Sequence, residues 1–241
     1  MGEPFLREMT VAVHAEKPGS LIVGEIVNHP GSWLRAMDAV MNFTLRQIVV
    51  SVASGEIAPA AGAHMTERVV ADAGIEPMLK SWMLIDNCDI PRIATQFPDL
   101  AQRRLVQALQ FSLPGAPNIY CGAEIGMTGR IDPENRGPMR WDLVREDNPE
   151  LVWVRMLIAL RKAHRALRIG DLRVVESQQL FAFERHTDRA LESLAVVAKP
   201  GETPVRERLM VRNAHLMDDT PMVDVLGQVP KPVPVTFGPG F

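Results

Sequence analysis

The chain has little of several things that would narrow its class at once. Its 241 residues include only two cysteines, Cys88 and Cys121, and one tyrosine, which excludes a disulfide-rich scaffold and a four-cysteine zinc site. Aromatic residues make up 5% and the formal net charge is −3. Neither a basic patch interleaved with aromatics nor an electrostatic pull toward nucleic acid or an anionic membrane follows from such a composition. No apolar run approaches the roughly 20 residues that a membrane-spanning helix needs. The opening MGEPFLREMT carries acidic residues and no apolar core, so it does not read as a secretory signal. Localisation stays open on these grounds, with a lean toward the cytoplasm. The six histidines (His14, His29, His64, His164, His186, His215) fall without metal-ligand spacing, and no metal site is expected from them.

What is present fits one large globular domain or two small ones. Apolar residues make up 46% and charged residues 23%, near the globular average and far from the disordered class. Phe5, Leu6, Met9 and Val13 recur at helical spacing, so residues 5–16 read as a helix, broken by Lys17-Pro18-Gly19-Ser20. The run Leu21-Ile22-Val23 reads as a buried strand ending at Gly24-Glu25. A second strand is expected at 39–43, a helix over 44–53, a loop through the Ala-, Pro- and Gly-rich 55–62, and helix again over 65–73. A third strand, 82–85, leads into Asp86-Asn87-Cys88-Asp89, and a helix over 100–111 stops at Leu113-Pro114-Gly115. The fourth strand is expected at 118–120, followed by a long loop to about Asn148 and a helix over 149–167. Beyond Gly170 the runs 179–184, 191–198 and 207–211 are short, β-prone and set apart by turn residues, as in a small all-β domain.

Strands alternating with helices are the rhythm of a parallel α/β protein, and polar residues gather just after each strand, where such proteins place their chemistry. Glu25 stands at one such end. Partial desolvation there would raise a carboxyl toward what a general acid requires; the alternative is a solvated or helix-capping glutamate. Asp89 stands at another, in Leu84-Ile85-Asp86-Asn87-Cys88-Asp89-Ile90-Pro91-Arg92, where two acids, a thiol and an arginine crowd together. It is open whether Asp89 acts in a site, pairs with Arg92 or caps a helix. Two carboxylates from different strand ends are what glycosidic-bond cleavage requires, because an oxocarbenium-like transition state must be both protonated and electrostatically stabilised.

At these residues the sequence resembles a known family. Gly24-Glu25-Ile26 resembles the general-acid motif at barrel strand five of the α-amylase superfamily, glycoside hydrolase family thirteen. Asp86–Arg92 is similar to its strand-seven motif, usually Asp-Ser-His-Asp-Thr-Pro-Arg. The run Leu113–Met127 is the longest match. The loop 129–142, with Asp132-Pro133, Asn135-Arg136, Pro138-Met139 and Trp141-Asp142, resembles the eighth-strand loop of cyclomaltodextrinases, neopullulanases and related α-glucosidases. The resemblance implies an α/β fold: the second half of a (β/α)8 TIM barrel, strands five to eight, over residues 1–170, then a small and incomplete C-terminal β-sandwich over 171–241. It implies a retaining hydrolase of α-1,4-glucosidic bonds in maltodextrins or cyclodextrins, with Glu25 as acid/base and Asp89 as the carboxylate that binds sugar hydroxyls. Asn28, Cys88, Arg92, Asp132 and Arg136 would contact substrate, Arg136 being equally suited to tying its loop to the barrel. No cofactor is implied beyond a structural calcium, whose ligands lie mainly in the family's other barrel half.

The departures are as telling. The family's nucleophile, an Asp in a Gly-Phe-Arg-Leu-Asp-like segment after strand four, has no counterpart here, and Asp38, the only Asp before Asp72, matches a different position. A retaining mechanism needs that nucleophile, so this chain alone is expected to be inactive. Val27 replaces a usual Trp, Cys88 a sugar-contacting His and Cys121 a usual Tyr; Val offers no stacking face and a thiol is a weak donor. These changes keep a non-catalytic carbohydrate-binding or interaction module open, as well as transglycosylating or isomerising relatives. On the resemblance, Cys88 and Cys121 follow neighbouring strands, where they would either pair or remain two independent buried thiols. Half a barrel would expose sheet edges, which implies self-association or pairing with the other half.

Overall fold

Short strands separated by helices pair in parallel only if each connection crosses back over the sheet, and four strands do so here. β1 (Val23–Ile26), β2 (Ala39–Asn42), β3 (Trp82–Leu84) and β4 (Ala116–Asn118) form one sheet in sequential order, each pair parallel. The computed structural model describes residues 2–212, 221–227 and 233–234. One row of paired residues runs Glu25, Met41, Trp82, Ala116 across the sheet. It starts near the C-terminal end of β1 and reaches the first residue of β3 and of β4. β1 and β2 therefore start level, as do β3 and β4, and the two pairs are offset by two residues at the β2–β3 junction.

The helices start where capping chemistry starts them. Asn42, the last residue of β2, accepts from Leu45 N at 2.9 Å and opens α2 (Phe43–Ala53), with α1 (Glu3–Glu16) preceding the sheet. Pro59 takes the first turn of α3 (Pro59–Ala73), where its missing N–H costs nothing. α4 (Ile75–Lys80) and α5 (Ile93–Gln96) flank β3, and Asp99 caps α6 (Leu100–Ser112) through Gln102 N at 2.8 Å. Asn148 caps α7 (Pro149–Ala163), and α8 (Arg165–Ile169) follows after extended backbone at His164. The main core packs Leu45, Val49 and Val52 of α2 against Met83 of β3 and Val106 and Leu109 of α6.

A second sheet, β5 (Asp171–Val174), β6 (Phe181–His186) and β7 (Leu194–Ala198), is antiparallel, and β8 (Pro221–Met222) pairs with β9 (Val233–Pro234). Phe181 and Phe183 meet edge to face at 5.8 Å between centroids and belong to the same core cluster as Val52, Ala63 and Val69. The sheet is thus packed on α2 and α3. Arg185, fully buried, adds a polar tie: its guanidinium donates to Ser112 O (2.6 Å), Gly170 O (2.7 Å) and Asp171 O (3.3 Å). Carbonyls at a helix C-terminus lack intrahelical donors, and arginine supplies them. Burial pushes this guanidinium down to about 9, which leaves it charged at neutral pH.

Several boundaries differ from the expectations. The first strand is Val23–Ile26 rather than 21–23 and is not buried. Among the described residues it is an edge strand paired only with β2, and Leu21 is exposed. The fourth strand is Ala116–Asn118, because its pairing with β3 begins at Trp82; as an edge strand it tolerates Pro117. Helix α3 takes over part of the expected 55–62 loop. Residues 207–211 form no ladder. That segment is held by Leu209 packing near Val175, Leu180 and Ala182, and by Arg212 N donating to Glu184 Oε1 at 2.9 Å. Parts of the expected β-sandwich, 213–220, 228–232 and 235–241, lie outside the described residues.

Candidate functional site

A cavity of about 1000 Å³ opens where β1 and β2 end and beside the loop that follows β3. This is the upper end of the about 300–1,000 Å³ usual for small-molecule sites. Glu25 and Asp89 both line it, so the structure brings the two expected carboxylates to one cavity. The wall between them is mixed. Val27, Phe43, Ile57, Met65, Val69 and Ile90 are apolar, whereas His29, Thr44, Gln47, His64, Arg68 and Asp72 carry donors or acceptors. Such a lining suits a ligand with hydroxyl edges and apolar faces. Glu25, expected to be partly desolvated at a strand end, lies within β1 and is solvent-exposed.

Asp89 stands on a loop that has no ladder partner. Its backbone N–H donates to Asn87 Oδ1 at 2.9 Å, and its carboxylate accepts from Arg136 Nη2 at 2.8 Å. Arg136 Nε also donates to Cys88 O at 3.1 Å and lies 3.6 Å from Asp132 Oδ1. Of the two roles open to Arg136, this geometry supplies the tie between loops. Asp89 is paired with Arg136 and not with Arg92. Asn28 is exposed and its carbonyl accepts from Thr44 Oγ1 at 3.2 Å. Asp132 is exposed on the long loop.

Arg92, expected beside the sugar, is enclosed at 0% exposure. Its guanidinium stacks 4.5 Å from the Tyr120 ring centroid and donates to Cys121 O at 2.6 Å, while its backbone N–H donates to Gly129 O at 2.9 Å. Cys88 and Cys121 are both free and both exposed, not buried as the independent-thiol reading had them. Among the described residues no group of three or more His, Cys, Asp and Glu side chains is gathered as a metal would require. No described helix is long and apolar enough to cross a membrane.

Beneath the loop lies a buried polar cluster that sequence reasoning did not resolve. Asp86 is fully buried; its Oδ2 accepts from Ile93 N at 2.8 Å, capping α5, while Oδ1 has no partner. Burial pushes this carboxyl up to about 6, against the backbone bond from Ile93 and the nearby charges of Arg92 and Arg46. Arg46, pushed down by burial, donates to Ile85 O and Gln96 Oε1, both at 2.9 Å. Asn135, also fully buried, spans from the long loop to Cys88 O and Ile90 O. The only sequence signal for it is its place beside Arg136.

Comparison with known proteins agrees with the resemblance. The family model described as "Alpha amylase, catalytic domain" matches residues 2–152. A cyclomaltodextrinase of Geobacillus thermopakistaniensis is 37% identical over 172 residues, covering 70% of this chain and 29% of that protein. Neopullulanase 2 of Thermoactinomyces vulgaris is 34% identical over 194 residues, covering 75% and 32%. Among solved structures, a cyclic alpha-maltosyl-(1-->6)-maltose hydrolase of Arthrobacter globiformis superposes with a TM-score of 0.77 at 30% identity, over 84% of this chain and 47% of that one. The chain spans about a third of the length of the curated relatives it matches.

Proposed function

We propose a function from one premise: this chain belongs to the alpha-amylase family. On our reading it carries one side of an α-glucan cleft, in which Glu25 is the acid/base and Asp89 holds sugar hydroxyls. The observation that carries this is the shared cavity of about 1000 Å³ lined by both carboxylates. Glu25 would protonate the glycosidic oxygen and later activate water; Asp89 would favour the distorted, oxocarbenium-like ring. The relatives' names point to cyclomaltodextrins and related maltose-built glucans as the substrate class.

We read β1–β4 as strands five to eight of an eight-stranded barrel and residues 171–241 as a β-domain. The sequential parallel order of the four strands, the offset between β2 and β3, and the outer edges of β1 and β4, unpaired among the described residues, support this. The edges also support pairing with another barrel half or self-association. The sequence has no Gly-Phe-Arg-Leu-Asp-like segment ahead of Glu25, so these residues are expected to bind glucan without hydrolysing it. The second reading, a non-catalytic binding module, is favoured by one observation. Val27 stands 72% exposed in the cavity wall where the family places a stacking aromatic.

The test is calorimetric titration of the chain with maltotriose and β-cyclodextrin, alongside an assay for released sugar. Binding that Asp89→Ala weakens, with no release, is the expected result. Release that disappears in Glu25→Gln would overturn the inactivity, and absence of any binding would overturn the cleft itself.

A further inference from the structure

We propose that Asn135 is a positioning residue that fixes where Asp89 stands in the cavity. The inference rests on the reading above, in which Asp89 touches sugar. A carboxylate on a loop is only as well placed as its backbone, and side chains of the long loop tie that backbone down. The Asn135 amide donates to Cys88 O at 2.8 Å and to Ile90 O at 3.1 Å, the two carbonyls that bracket Asp89. The amide has one acceptable orientation, because reversing it would set Oδ1 against both carbonyls.

Asn135 is itself held. Tyr120 Oη donates to its backbone carbonyl at 3.1 Å, and the Tyr120 ring is covered by the Arg92 guanidinium. Residues 88, 90 and 92 are thus strapped to the long loop, the last through Arg92 N to Gly129 O at 2.9 Å. The Arg136–Asp89 ion pair is about half exposed at both ends, so solvent screens it and it contributes little. Asn135 is 0% exposed, so its bonds to the two carbonyls are shielded at the donor end and lose less to water. The buried clamp is therefore the neutral amide, which holds both carbonyls, whereas Arg136 reaches Cys88 O alone and from the surface.

The test uses the full chain, maltotriose as probe, and four proteins: wild type, Asp89→Ala, Asn135→Ala and the double variant. If Asn135 acts through Asp89, Asn135→Ala weakens maltotriose binding by about tenfold in the wild-type background and not at all beside Asp89→Ala, a coupling ordinary for residues in one network. Hydrogen exchange of the peptide covering 86–92 should rise in the same variant. Equal losses in both backgrounds, or unchanged exchange, would overturn the proposal. If Asp89→Ala leaves affinity untouched, the reading of Asp89 as a sugar contact is what fails, and exchange still decides the clamp. Should Asn135→Ala not fold, Tyr120→Phe removes only the hydroxyl that pins Asn135 and enters the same cycle, with a smaller loss expected and equal losses again overturning.

Discussion

Replacing Asp86 by Asn should change how stability depends on pH, by an amount that follows from the structure. The carboxyl is fully buried, one oxygen is unpartnered, and burial lifts it from an ordinary 3.8 to about 6 in the fold. A carboxyl raised in the folded state contributes stability that is fully present below its unfolded value and is lost as pH rises to the folded one. The unfolded chain releases its proton first, so stability falls between about pH 4 and pH 6 and is flat above that. At about 1.4 kcal/mol per tenfold change in proton affinity, the gap corresponds to about 3 kcal/mol over the full range, and to about 2–3 kcal/mol between about pH 4 and pH 8. Asn keeps an oxygen for Ile93 N and cannot titrate. It also brings an NH2 where Asp86 has its unpartnered oxygen, but that cost is the same at every pH and cancels in the comparison. Urea unfolding of both proteins at the two pH values should therefore show the variant gaining about 2–3 kcal/mol on wild type as pH rises. A pH-independent difference, or a variant that loses ground, would mean that Arg46 and Arg92 hold Asp86 ionised in the fold, and the reasoning would be wrong.

Three further outcomes are expected. Gly62→Ala should destabilise by about 1–3 kcal/mol in a thermal melt, although Ala ordinarily favours a helix interior by about 1 kcal/mol over Gly. A Cβ there would overlap a Val52 methyl and approach the Phe181 ring at 3.2 Å, and a more stable variant would refute the tight contact between α3 and β6. Arg185→Met should cost about 3 kcal/mol or more in denaturant unfolding, because three carbonyls lose their donor in a buried place; a loss below about 1 kcal/mol would show that water replaces it. Both thiols of the reduced chain should react with Ellman's reagent without denaturant, since Cys88 and Cys121 are exposed; a count of one would contradict that exposure.

The parts of the fold written in local chemistry were legible. Asn42, Asp99 and Asn148 open helices near the expected places, and the polar cluster after the third strand did mark a cavity wall. The strand edges were less so, because apolar runs such as 21–23 show where a chain is sticky and not which residues pair. The true limits of β1 and β4 come from register with a neighbour. The sequence offered Arg92, three residues on, as the partner of Asp89, and Arg136 as a substrate contact or a loop tie. Only the fold turns one inward onto Tyr120 and sends the other across 47 residues to the carboxylate. Asn135 reaches Cys88 over the same separation, and no local pattern announces such a bond.

The sharing of one core between α3 and β6 also bears on how the chain is made. Phe181 and Phe183 close the wall against Val52 and Ala63, yet they are synthesised more than a hundred residues after Ala63. At about 5–20 residues per second, α2 and α3 leave the ribosome on the order of ten seconds before that wall exists. For that interval their apolar face has only itself or a chaperone to meet. Synonymous codons that slow translation between residues 64 and 181 should then lower soluble yield while leaving the finished protein's stability unchanged.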